Sequence, residues 1–170
     1  MKNQLLMLAD YHVWSFEILY GALLPVSDSQ YTADCGLFFG SIHRTLNHLL
    51  LADRVWFGRF VGRTYPVAGL DMELESARSG LEQALYEQGQ GWRSWIELQD
   101  QAVISGMLEY SNLAGTSFSN PLVATLLHVF NHGTHHRGQI SAAITGFGHA
   151  APEMDLIGYM RGVGTPTSAA

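Results

Sequence analysis

Apolar residues recur every three or four positions from residue 4 to residue 24, at Leu5, Leu8, Val13, Phe16, Ile18, Leu19, Leu23 and Leu24. That spacing draws one apolar stripe along a helix. Pro25 stops it, because a proline disfavours helical geometry in the residue before it. Ser27-Asp28-Ser29 reads as a turn and a cap for a short segment. A second helix is predicted from Leu37 to Phe60, with Ile42, Leu46, Leu49, Trp56 and Phe60 on one side. Gly62 and the Tyr65-Pro66 pair end it. Residues 71–101 predict a third, more polar helix with Leu74, Leu81, Leu85 and Trp92 as its stripe. Gly89 and Gly91 predict a bend or frayed turn in its middle.

The pattern changes over residues 102–119, where Val103 to Tyr110 and then Ala114-Gly115 predict a small hairpin or an irregular loop. Asn120-Pro121 is a helix-start signal, with asparagine as cap and proline at the first helical position. The fourth helix is predicted from there to Thr145, stopped by Gly146 and Gly148, and a short final helix covers residues 153–161. Four long helices in 170 residues predict one all-α domain spanning 1–170, a four-helix bundle with an insertion before its last long helix.

Composition narrows the partners. Hydrophobic residues make up 47% and charged residues 14%, a globular balance rather than a disordered one. Net charge is −6 and the nine basic residues form no stripe, which argues against nucleic-acid binding. Residues 110–136 carry no Asp, Glu, Lys or Arg, but Ser111, Asn112, Asn120, Pro121 and Asn131 interrupt the run, so it is not a membrane span. The start has one basic residue, and Asp10 and Glu17 follow too soon for a signal peptide. A single cysteine, Cys35, makes no internal disulfide; a small buried residue in a reducing, cytoplasmic setting is the expectation. Trp14, Trp56, Trp92 and Trp95 all fall in helical stretches and read as core or interface.

Histidine is the unusual residue. Eight occur, at 12, 43, 48, 128, 132, 135, 136 and 149, and four of them fall within nine positions of the fourth helix. At 100° per residue His132 and His136 differ by about 40°, one turn apart on one face. His128 lies one turn earlier, and His135 points about 60° away from His132 in the opposite sense. Val129, Ile140 and Ala143 share the arc of His132 and His136, so the pair is predicted to face inward. Two imidazoles at this spacing can ligate one divalent ion about 2.0–2.1 Å from each nitrogen. A third ligand must come from another helix. His43 and His48 are about 140° apart, so only one can face the ion, and the helical wheel leaves the choice open. His12 on the first helix is a further candidate.

Three segments resemble the DinB family: Tyr11-His12-Val13-Trp14, Thr45 to Trp56, and Asn131-His132-Gly133-Thr134-His135-His136-Arg137-Gly138-Gln139-Ile140. Asp155-Leu156-Ile157 near the end is similar too. This is the DNA-damage-inducible metal-binding family, distinct from the lesion-bypass polymerase of that name. The resemblance implies an up-down-down-up bundle, a homodimer, and a divalent ion held by His48, His132 and His136. His135 and Arg137 would flank rather than coordinate. The family often carries Asn where His12 stands, which leaves the role of His12 open.

Three imidazoles leave a coordination position for water or substrate, the arrangement of a reactive rather than a structural site. By resemblance, the function is that of a metal-dependent thiol S-transferase, with hydrolysis as a variant, acting on a small thiol and an electrophile. The alternative is a non-catalytic, dimeric metal-binding protein of a stress response. Imidazole ligands suit zinc, nickel, copper and iron, with zinc or nickel favoured. Gln139 and Asp53, each about a turn from a ligand, are candidates to orient a ligand or a bound water.

Overall fold

The structure is a computed structural model, and it describes residues 1–162. It is mostly helical. Four long helices carry the chain: α1 (Lys2–Leu23), α3 (Ile42–Phe60), α4 (Arg78–Leu98) and α6 (Leu122–Gly146). Three short helices, α2 (Asp28–Thr32), α5 (Gln101–Ile104) and α7 (Leu156–Met160), and a hairpin of β1 (Met107–Ser111) and β2 (Ser117–Pro121) complete it. Helix α1 packs on α4 and α6, and α3 packs on the same two. No helix among the described residues is long and apolar enough to cross a membrane.

Local chemistry sets the boundaries, and several differ from those the apolar pattern predicts. The second long helix starts at Ile42 rather than Leu37, because residues 37–40 close a tight turn and Ser41 supplies the cap, its Oγ accepting from Arg44 N–H at 3.1 Å. The third starts at Arg78 rather than residue 71. Asn47 of α3 takes the Leu74 and Glu75 N–H groups on its Oδ1, at 2.8 and 3.0 Å, and holds that stretch outside any helix. Ser27 caps α2 through a reciprocal box with Gln30. The irregular segment is a true antiparallel hairpin, its turn built on Asn112 Oδ1, which accepts from Ala114 and Thr116 N–H.

Asn120 and Pro121 belong to β2, paired with Leu108 and Met107, so Asn120 does not cap α6. It accepts instead from the Tyr110 hydroxyl at 3.2 Å. Helix α6 runs one residue past Thr145 and closes with bonds from Gly148 N–H to Thr145 C=O and from His149 N–H to Ile144 C=O. That pair of bonds is a Schellman stop, and it needs the left-handed φ of +85° at Gly148.

Two apolar clusters form the core, and each long helix contributes one end to each. The first contains Phe16 and Leu19 of α1, Leu46 and Leu50 of α3, Leu81 and Leu85 of α4, and Ile140 and Ile144 of α6. The second contains Leu5 and Ala9, Phe60, Trp92 and Ile96, and Leu126 and Phe130. Trp92 is fully buried, with Phe57 and Phe60 edge-on to it, and Trp14 is also buried, so both are core residues as expected. Trp56 and Trp95 are half-buried against the second cluster.

Between the clusters every long helix carries a polar or minimal residue: His12, Asp53, Gly89, and Gly133 with Arg137. Helix α4 runs unbroken through Gly89 and Gly91, contrary to the predicted bend. Gly89 is there for space: a Cβ on it would sit 2.8 Å from Val13 Cγ2 of α1. Gly89→Ala should therefore destabilise by about 1–3 kcal/mol through overpacking, despite alanine's better helix propensity. Gly138→Ala, on α6 with nothing within 4 Å of the added carbon, should stabilise by about 0.4–1 kcal/mol. Thermal melts of both variants check this opposition.

Candidate metal centre

Helix α6 projects His132 and His136 from adjacent turns, and α3 brings His48 to meet them. His132 Nε2 lies 3.1 Å from His136 Nε2 and 3.3 Å from His48 Nε2. The three ligand atoms all fall within 4.8 Å of one another, forming a group positioned to hold a metal ion. His48 and His136 are buried and His132 is half-buried. The inward-facing spacing of His132 and His136 therefore brings their nitrogens together, with His48 across from them.

Hydrogen bonds assign the tautomers. His48 Nδ1–H donates to the Leu70 carbonyl at 2.9 Å. His136 Nδ1–H donates to Gln139 Oε1 at 2.8 Å, while the Gln139 amide donates to His135 Nε2 at 3.1 Å. Both rings thus turn a bare Nε2 lone pair toward His132. His132 Nε2 can carry one proton and satisfy one neighbour, so at least one of its two contacts sets lone pair against lone pair. A cation in the middle removes that conflict. Tetrahedral bonds of 2.0–2.1 Å space their nitrogens by about 3.3 Å, close to the separations seen here. The residues fit the ion that the family resemblance implies.

A model of the DinB family matches residues 1–167. The chain belongs to the DinB family. Protein DinB of Bacillus subtilis (strain 168) is 27% identical over 157 residues, covering 90% of this chain and 91% of that protein. No solved structure matches the chain.

Burial drives the electrostatics of this DinB-family centre. Desolvation pushes the pKa of His132 down to about 3, with the neighbouring His136, His48, His128 and His135 adding to the effect. Burial lowers His48, against the bond to Leu70, and lowers His136, against the bond to Gln139. All three rings are therefore neutral near pH 7, with lone pairs free for a cation. Phe39, on the turn before α3, stacks on His48 with centroids 3.9 Å apart and stands 5.8 Å from His136. It screens one side of the group from water.

The other histidines lie elsewhere. His43 faces Asn47 at 3.3 Å and Glu73 at 3.6 Å. His12 neither joins the group nor merely packs: its Nε2 meets Asp53 Oδ2 at 2.9 Å and its Nδ1 meets Arg137 Nη1 at 3.1 Å. Asp53 is thereby committed to His12 rather than to one of the three grouped imidazoles, whereas Gln139 does hold one of them, His136. His135 and His128 are exposed, the latter beside Trp56 and 6.0 Å from His132 between ring centroids. Cys35 is half-buried rather than buried, its Sγ 3.5 Å from the Gly40 carbonyl. Phe39 and the Leu70 carbonyl escaped the sequence reading. A carbonyl leaves no mark in residue type, and Phe39 sits in a loop without periodicity.

His132→Ala should abolish stoichiometric divalent metal while His135→Ala leaves it largely intact, as elemental analysis of tag-free protein would register. Equal losses from both would refute the facing argument. Acid should weaken the metal-free fold. Below about pH 6.5 the unfolded chain takes up protons that the buried rings refuse, so stability falls as pH drops from there toward the lowered folded values. Melting temperatures of chelator-treated protein between pH 7 and pH 5 should decline, and His132→Ala should flatten the slope.

Proposed function

We propose that this chain is a divalent-metal protein in which His48, His132 and His136 hold zinc or nickel and leave an open position for a small thiol, as in a metal-dependent thiol S-transferase. The observation carrying the proposal is the convergence of three neutral Nε2 atoms whose lone pairs have no common proton to share. When bound, the ion would lower the pKa of a thiol, or in a hydrolytic variant of water, at that position. The protein's own part is orientation and exclusion. Leu70 C=O and Gln139 Oε1 fix the ring planes of His48 and His136, and Phe39 keeps water off one side. In the transfer, the thiol sulfur bonds to the electrophilic carbon, that carbon's bond to its leaving group breaks, and the thiol proton passes to solvent.

The scaffold of the proposal is an up-down-down-up four-helix bundle in one domain. Its support is the order in which the helices cross the two clusters: α1 and α6 run from the second to the first, α3 and α4 from the first to the second. The residue 61–77 connection then returns the chain between two parallel neighbours. Assembly as a homodimer belongs to the same reading and rests on the family resemblance, while a cytoplasmic location rests on the single cysteine, Cys35, and the early acidic residues Asp10 and Glu17.

Cobalt substitution tests it. One cobalt per chain is expected, with a visible spectrum that changes when 2-mercaptoethanol is added, because the thiol enters the coordination sphere. A spectrum indifferent to thiols would leave a non-catalytic metal-holding protein and sink the transferase. Failure to take up cobalt at all would sink the metal.

A further inference from the structure

Three side chains cross the middle of the core away from the imidazole group. Arg137 Nη1–H donates to His12 Nδ1 at 3.1 Å, and His12 Nε2–H donates to Asp53 Oδ2 at 2.9 Å. They are 1%, 0% and 2% exposed. Arg137 Nη2–H adds a bond to Thr134 Oγ1 at 3.2 Å. The chain of contacts joins α6 to α1 and α1 to α3, and the space for it is cleared by Gly133. A Cβ there would stand 2.8 Å from both Arg137 Nη1 and His12 Cε1.

Burying a guanidinium and a carboxylate is costly, and a well-packed apolar set of similar volume is often as stable or more so. Stability is thus a poor account of this layer, and its position offers a better one. Gly133 and Arg137 directly follow His132 and His136 in sequence. On a helix, neighbours in sequence point about 100° apart, so α6 turns these two residues toward His12 and the two imidazoles toward His48. Asp53 stands on α3 five residues beyond His48. The two helices that supply all three imidazoles are the two that the network links to each other through His12 of α1. Leverage makes that tie consequential. At the outer radius of a helix, about 5–6 Å, a 10° rotation moves a ring by about 1 Å. Metal–ligand distances tolerate only about 0.2 Å.

We propose that the buried Arg137–His12–Asp53 strut, seated on Gly133, is a positioning device: it sets the rotation of α6 against α3 and thereby the geometry and affinity of the imidazole centre. The proposal rests on the metal reading above, and none of its residues touches the ion.

The test uses the full chain and cobalt. The triple variant His12→Leu/Asp53→Leu/Arg137→Met removes the strut while keeping the layer filled. Its metal-free melting temperature should equal or exceed that of the unaltered protein. Its cobalt Kd should weaken by about 10–100-fold, the range seen when groups supporting metal ligands are removed. The cobalt band should shift or broaden. His12→Gln, which can still accept from Arg137 and donate to Asp53, should restore affinity and spectrum, whereas His12→Leu alone should not. A folded triple variant with unaltered affinity and spectrum overturns the proposal and leaves the metal reading standing. If the triple variant does not fold, Asp53→Ala, which removes the acceptor for His12 Nε2–H, carries the same readouts, and unaltered cobalt binding there overturns it equally. An unaltered protein that takes up no cobalt overturns both readings.

Discussion

A charged layer in the middle of an apolar core governs this structure. Arg137 and Asp53 are opposite charges almost wholly removed from water, and they do not touch; the His12 ring stands between them and bonds to each. In a medium of low dielectric, losing any one of the three strands the others without hydrogen-bond partners. The surrounding residues conform to that requirement. Gly133 gives up its side chain so that Arg137 and His12 can meet, and Gly89 lets α4 close against α1 at the same level. Apolar packing resumes on either side, which is why the core divides into two clusters.

The imidazole group obeys a related constraint with a different outcome. Here burial acts on groups that can shed their charge, so the rings become neutral rather than paired. Neutral rings solve the desolvation problem and create another, since three acceptor nitrogens crowd a small volume with too few protons among them. One helix therefore carries two polar faces, one resolved within the protein and one resolved most simply by a cation. The DinB family membership of the chain agrees with that reading of the second face.

Much of the local order was legible in residue order. The stripe of α1, the capping role near Ser27, and the inward pairing of His132 with His136 depend on neighbours a turn away, and helical periodicity displays such relations directly. Boundaries were less legible where a distant side chain intervened. Asn47 of α3 holds residues 74–75 in an extended path, so a stretch with a helical pattern is not helical. Asn120-Pro121 has the composition of a helix start, yet pairing with β1 draws it into a strand. In each case a long-range hydrogen bond outweighed a local preference worth about 1 kcal/mol or less.

Residue order settled which helix would carry the imidazole pair and which way that pair would face. It left His43 and His48 equivalent, because apolar residues flank both of them on α3, and only the docking of α3 against α6 separates them. The same docking turned Asp53 and His12 away from the imidazole group and into the core. Periodicity describes one helix at a time, whereas the rotation of one helix relative to another is decided by side chains that meet only when the chain is folded.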